Sequence, residues 1–204
     1  MSTLDAYNRL EALGGVVTTG EAAAALRVSV SSASRTLRTL EGLGRAMRIR
    51  SGLWYIGGGS PAPTAIVRDL CRPHPAYVSF LTALNLAGAI DQHPRVTSVA
   101  SLDRARTIET SLGTYAVPHL PPALFDGWED TARGPVATPD KAIFDLCYVA
   151  AAHAGRAPHL PELELVRPIS IASFEPWLAR IESRRVRSVT AAGLRYAVGR
   201  SRAR

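Results

Sequence analysis

The sequence predicts an α+β protein in two parts, and three observations carry that prediction. The first 56 residues place three helical periods ahead of a strand–turn–strand pattern, a Gly/Pro-rich stretch follows, and the remainder alternates short strand-like runs with helices. Thr3–Leu13 is a first amphipathic helix, with Leu4, Tyr7, Leu10 and Leu13 at helical spacing, and Gly14-Gly15 ends it. Thr18 and Thr19 offer capping hydroxyls to a second helix over Glu21–Leu26. Arg27-Val28-Ser29 is a tight connection. A third helix, Ser31–Leu43, spaces Ala33, Leu37, Leu40 and Leu43 along one face, and Gly42 and Gly44 mark its end. Arg45–Arg50 alternates polar and apolar residues, Ser51-Gly52 turns, and Leu53–Ile56 returns as the second strand of a hairpin. Helix, helix, tight turn, helix, hairpin is the order of a winged helix-turn-helix, assigned here to residues 1–56.

Residues 57–63, Gly-Gly-Gly-Ser-Pro-Ala-Pro, read as a linker by composition. Residues 64–204 then read as a mixed α+β domain. Thr64–Cys71 starts a helix that Arg72-Pro73-His74-Pro75 breaks. Ser79 is placed to cap a helix over Phe80–Ala89. Arg95–Ser101, Thr107–Glu109 and Gly113–His119 are strand-like, with a turn at Ser111–Gly113. Pro121-Pro122 interrupts the pattern, and Leu124, Phe125 and Trp128 form an apolar patch. Thr138-Pro139-Asp140 combines a capping Thr, Pro at the first helical position and an acid in the first turn, which starts a helix over Pro139–Ala152. Pro158–Pro168 reads as a loop, and Phe174–Glu182 and Val186–Val198 as two more helices.

Composition narrows the function. A hydrophobic content of 47% with 20% charged residues fits a globular chain rather than a disordered one. The formal charge of +7 is unevenly placed. Residues 1–60 hold seven arginines against four acids, residues 61–175 are net acidic by three, and residues 176–204 hold eight arginines against one acid. Positive charge at both ends points to a polyanion met at the N-terminus, with the C-terminal helix as a possible second contact. Cys71 and Cys147 lie in apolar surroundings outside any Cys-x-x-Cys pattern, which marks buried thiols. With the five histidines they give no metal-ligand spacing, so neither a metal nor a cofactor is expected. No stretch reads as a signal peptide or a bilayer span, which places the expected location in the cytoplasm.

The outward face of the third helix carries Ser31, Ser32, Ser34, Arg35, Arg38 and Thr39. A helix fits the major groove of B-DNA, where its early residues reach base edges. Arg35 can fork onto a guanine or clamp a phosphate, and Arg38, a turn later, suits phosphate. The hairpin presents Arg45, Arg48 and Arg50, and such a wing touches the backbone or enters the minor groove. Double-stranded DNA is therefore the expected partner. The competing reading is a solvated helix face and polar hairpin edge on a protein-docking module.

Three stretches resemble the AbiEi family of antitoxins from type IV toxin–antitoxin operons: Tyr77–Leu84 through Gly88, Arg95–Ala100 running on through Ile108-Glu109-Thr110 to Gly113, and Ala137–Leu146. The last is the most specific, because a Thr-Pro-acid-Lys-Ala run with an Asp four residues after the Lys is common in that family. With the N-terminal unit the resemblance covers about residues 1–200, and the short, arginine-rich chain resembles the mycobacterial Men branch. It implies a cytoplasmic regulator whose winged helix represses its own operon at promoter repeats. It also implies a C-terminal domain that counteracts a nucleotidyltransferase toxin, with or without direct contact. A monomer on each repeat and a preformed dimer both suit the charge layout. Lys141 and Asp145, at i and i+4, read either as a pair fixing their helix or as part of a toxin-contact surface. Arg104 and Arg106, and Arg184, Arg185 and Arg187 within the terminal arginine set, are further candidate partner contacts against the reading of a solvated loop and helix. Catalysis is not expected. The only lysine lacks the Asp/Glu-x-Lys spacing of metal-dependent nucleases, and Gly-x-Ser-x-Gly, P-loop and His-Glu-x-x-His motifs are absent. The alternative regulator is a ligand-responsive winged-helix transcription factor with no toxin partner.

Overall fold

The computed structural model describes residues 2–158, 160–165 and 168–203, and the chain is mixed α+β. It opens with α1 (Thr3–Glu11), β1 (Val16–Thr18), α2 (Thr19–Leu26), α3 (Val30–Gly42), β2 (Ala46–Arg50) and β3 (Leu53–Ile56). Local chemistry sets these boundaries. Ser2 and Asp5 close a reciprocal capping box on α1, and Thr18 and Glu21 close another on α2. The Ser29 hydroxyl accepts the Ser32 N–H to start α3. Arg27 ends α2 in the left-handed conformation, φ 56°, which sets up the sharp turn into α3. The three strands form an antiparallel sheet in the order β1-β3-β2. Ala6, Leu10, Ala22, Leu26, Ala33, Leu37, Leu40, Trp54 and Ile56 pack as the core of this unit.

Two expectations are corrected in this unit. Strand β1 was not expected: Val16-Val17-Thr18 is too short to show alternation, and it exists because it pairs with β3, Val16 opposite Tyr55 and Val17 opposite Trp54. The buried face of α1 is Ala6 and Leu10, whereas Leu4 and Leu13 are exposed, as is Leu43 just beyond α3. Alanine lets the helices approach closely, so the small residue takes the inner position.

The remaining elements are α4 (Val67–Cys71), β4 (Ala76–Val78), α5 (Phe80–Leu86), β5 (Thr97–Ser101), β6 (Arg106–Thr110), β7 (Gly113–Val117), β8 (Trp128–Thr131), β9 (Gly134–Ala137), α6 (Pro139–Ala154), β10 (Leu163–Leu165), α7 (Glu175–Leu178), α8 (Arg184–Arg200) and β11 (Ser201–Ala203). A six-stranded sheet runs β6-β7-β5-β4-β9-β8. Its pairings are mixed: β4 is antiparallel to β5 and parallel to β9, and β5 is parallel to β7. Helices α5 and α6 pack together against it, and α8 lies along α6. Gly193 allows that approach, since a Cβ there would stand 3.2 Å from Cys147 Sγ. The expected helix over Phe174–Glu182 is instead a 3-10 turn, Ile171–Phe174, followed by the short α7. The region read as a loop contributes β10, which pairs in parallel with β11. His159, Val166 and Arg167 of that loop, and Arg204 of the terminal arginine set, lie outside the described residues. No helix among the described residues is long and apolar enough to cross a membrane.

The N-terminal unit is seated on the sheet-bearing unit rather than hung from it. Val16, Ile49 and Leu53 turn away from their own unit and join the larger core. Arg72 reaches from the end of α4 to Glu21 at 2.8 Å and to Asp69 at 2.6 Å. The Ser111 N–H and Oγ donate to the carbonyls of Ile49 and Arg48, each at 2.9 Å. The connecting residues 57–63 hold no helix or strand and are tied at both ends: Gly57 N–H donates to Arg45 C=O at 3.0 Å, and Tyr115 Oη to Pro63 C=O at 2.9 Å. Ile49→Ala is expected to lower stability by about 2–4 kcal/mol, the cost of a buried Ile truncation. Because a residue of the N-terminal hairpin is buried in the core of the other unit, chemical denaturation should remain one transition; two separated transitions would show the units to be independent.

Candidate nucleic-acid interface

Helix α3 offers its outer face from the first turn. Ser29 Oγ lies 3.0 Å from Ser31 Oγ and donates to Ser32 Oγ at 3.0 Å. Ser32 Oγ also accepts Arg35 Nη2 at 3.3 Å. The Ser32 hydroxyl is thus engaged inside this chain, and it holds Arg35 in place instead of standing free for a ligand. Ser31, Arg35, Arg38 and Thr39 are exposed, while Ser32 and Ser34 are half-buried. The Thr39 hydroxyl donates back to the Arg35 carbonyl at 3.2 Å.

The hairpin carries three more cations. Arg45 lies over the Tyr7 ring, 5.6 Å from its centroid, and Arg48 over the Trp54 ring at 5.8 Å. Trp54 is itself fixed by donation from its indole Nε1 to Thr19 Oγ1 at 3.1 Å. Stacking leaves the guanidinium edges of Arg45 and Arg48 available while restricting their rotamers. Arg50 is exposed beside the Ser51-Gly52 turn. Among the described residues, no ion pair involves Arg35, Arg38, Arg45, Arg48 or Arg50. The fold therefore brings all five onto the surface of one unit with their charge uncompensated. Val30, an exposed apolar residue at the first position of α3, is missed by reading polar residues alone. Its signal is an aliphatic side chain directly after the capping Ser29.

The candidate residues of the second unit separate into three groups. Arg104, Arg184 and Arg185 are exposed and take part in no ion pair among the described residues. Arg106 is half-buried and pairs with Asp103 at 2.8 Å, and Arg187 donates through Nε and Nη2 to the Ile181 carbonyl. Arg106 braces its own loop, and Arg187, exposed on α8, ties that helix to the turn before it. Lys141 and Asp145 are both 0% exposed, so the reading of them as a partner-contact surface does not fit, and the helix-fixing reading does.

That pair is the centre of a buried polar network. Lys141 Nζ donates to Asp145 Oδ1 at 2.5 Å and to the Leu124 carbonyl at 2.7 Å. It also sits 5.0 Å from the Phe144 ring centroid and 5.5 Å from that of Trp177. The other carboxylate oxygen, Oδ2, accepts Tyr77 Oη at 3.0 Å and Ser79 Oγ at 2.7 Å. Ser79 does stand at the start of α5, but its hydroxyl makes no capping bond, because it is committed to Asp145. The next residue, Phe80, takes φ +58°, a conformation costly for a residue with a Cβ and sustained by the packing around it. Burial pushes the Asp145 carboxyl above the usual carboxylate range against the opposing pull of Lys141, and burial likewise raises the Tyr77 hydroxyl. Burial also raises the Cys71 thiol and takes that of Cys147 up to about 12, so both cysteines are protonated packing residues. The described residues contain no cluster of His, Cys, Asp and Glu able to hold a metal ion.

No protein-family model matches the chain, and no curated protein matches it significantly. The buried network makes its own test. Asp145→Ala leaves an ammonium unpaired in the core and is expected to cost about 3–5 kcal/mol in urea denaturation. Adding Lys141→Met to it should recover part of that loss. A double variant no more stable than the single one would show that the ammonium is held by Leu124 and the rings instead of by the carboxylate.

Proposed function

We propose that the protein is a DNA-binding autorepressor and antitoxin of the AbiEi type, acting in the cytoplasm. In this reading residues 1–56 are a winged helix-turn-helix with α3 as the recognition helix and β2–β3 as the wing. One observation carries the DNA-binding part: five exposed arginines with no ion-pair partner among the described residues share a unit in which helix, tight turn, helix and hairpin follow in that order. Arg35, held by Ser32 in the first turns of α3, reaches base edges or phosphate, and Arg38 takes phosphate. Ser31 offers a hydroxyl at the groove, and Val30 an aliphatic surface suited to a thymine methyl. Arg45, Arg48 and Arg50 follow the backbone beside the wing.

The antitoxin part rests on the resemblance of the three stretches in the second unit. In this role that unit counteracts a nucleotidyltransferase toxin, and Arg104, Arg184, Arg185 and Arg187 are the exposed candidate contacts for it. Arg106, Lys141 and Asp145 support the surface from within.

Charge reversal tests the DNA reading in the intact chain, which preserves the seam between the units. Arg48→Glu with Arg50→Glu should weaken binding to a duplex from upstream of the gene, followed by fluorescence anisotropy. The slope of log affinity against log salt should flatten by about 2, one for each lost phosphate contact. Affinity and slope that match the wild-type chain would remove the wing from the interface. The same variant, co-expressed with a nucleotidyltransferase encoded beside it, should still relieve toxicity; loss of rescue in a folded protein would contradict the division of tasks.

A further inference from the structure

Among the described residues strand β2 is an edge strand that pairs only with β3, so its outward N–H and C=O groups have no strand partner there. Three of those groups are nonetheless satisfied, each from outside the hairpin. The Arg48 N–H donates to Glu41 Oε1 at 3.1 Å, from the end of α3. The Arg48 carbonyl accepts Ser111 Oγ, and the Ile49 carbonyl accepts the Ser111 N–H, both at 2.9 Å. These bonds fall where the hairpin register shifts, between Arg48 opposite Trp54 and Arg50 opposite Leu53. Ile49 is the extra residue of that bulge, and its side chain is buried in the larger core. A bulge re-aims the side chains on either side of it, and here those are the two wing arginines.

Ser111 comes from the far end of the sheet-bearing unit. It is the first residue of the two-residue turn joining β6 to β7, whose closing pair is Thr110 and Gly113. The turn is braced internally: Thr110 Oγ1 donates to Gly113 C=O at 2.8 Å and accepts the Leu112 N–H at 3.0 Å. Ser111 is therefore a fixed double donor set against a bulge in an otherwise open strand.

We propose that Ser111 is a positioning residue for DNA recognition: by holding the β2 bulge, the β6–β7 turn aims Arg48 and Arg50, so the second unit sets the affinity of the first for duplex DNA. This rests on the DNA-binding reading above. Neither the Ser111 side chain nor its N–H needs to touch DNA. The arginine side chains act, and Ser111 fixes the backbone from which they project.

The test uses the full chain and the upstream duplex, titrated by anisotropy across a salt series. Ser111→Pro removes both donors, and its ring, in place of the N–H that faces the Ile49 carbonyl at 2.9 Å, also pushes the turn off the bulge. It is expected to weaken binding roughly three- to tenfold, the range of one or two lost hydrogen-bond equivalents, and to flatten the salt slope. Ser111→Ala, which removes only the Oγ bond, should show a smaller loss in the same direction and serves if the proline variant does not fold. Ser111→Thr keeps both donors and should bind as the wild type does. In an Arg48→Ala, Arg50→Ala background, Ser111→Ala should change affinity no further. Wild-type affinity and slope in a folded Ser111→Pro or Ser111→Ala variant would overturn the proposal, as would an undiminished loss in the background lacking both arginines. A wild-type chain that binds no duplex would overturn the DNA-binding reading itself, and the proposal with it.

Discussion

The carboxylate of Asp145 is the point at which the larger unit is tied together. A charge removed from water is tolerated only when it is paired and its remaining lone pairs are bonded. Asp145 meets that demand with three side chains from two stretches of the chain: Lys141 on its own helix, and Tyr77 and Ser79 where β4 passes into α5. Lys141 in turn takes the Leu124 carbonyl and lies against Phe144 and Trp177. Helix α6 is thereby fixed in register on the sheet, in a way that apolar packing alone does not specify. The nearby backbone is shaped around it: Gly127 holds φ +75°, and a Cβ there would stand 2.9 Å from Trp177 and 3.0 Å from Lys141.

The sheet so fixed is the base on which the N-terminal unit stands. Its β6–β7 turn meets the hairpin at Arg48 and Ile49, Arg72 meets the capping residue Glu21, and Val16, Ile49 and Leu53 fill the seam. Hydrogen bonding to the Thr18 N–H holds the Glu21 carboxyl below the usual carboxylate range, with Arg72 adding to that pull. The N-terminal unit is thereby held against the sheet at its hairpin and at the start of α2. On the proposed DNA-binding reading, changes in the second unit bear on DNA binding through these contacts.

Much of this was legible where the chemistry is local. The Thr138-Pro139 start of α6 follows from capping and a fixed φ, and Thr138 does accept the Lys141 N–H. The three N-terminal helices and the hairpin lie within a few residues of their expected places, because turns and caps flank each of them. What the sequence hid is non-local. Strand β1 and the β10–β11 pair exist through partners far along the chain. The polar network was half visible: the i, i+4 spacing of Lys141 and Asp145 showed that they meet, but not that Tyr77 and Ser79 enclose them. The arginines divide in the same way. Arg106 looks like Arg104 in sequence, and only the fold distinguishes a half-buried, ion-paired brace from an exposed cation.

The most direct measurement of the central claim is amide hydrogen exchange on the full chain, with and without duplex DNA from upstream of its gene. Gripping a duplex through α3 and the hairpin should slow exchange in residues 29–39 and 45–53 and leave α8 little changed. No slowing in those two segments while the duplex is bound, or protection concentrated instead in Arg184–Arg200, would contradict it.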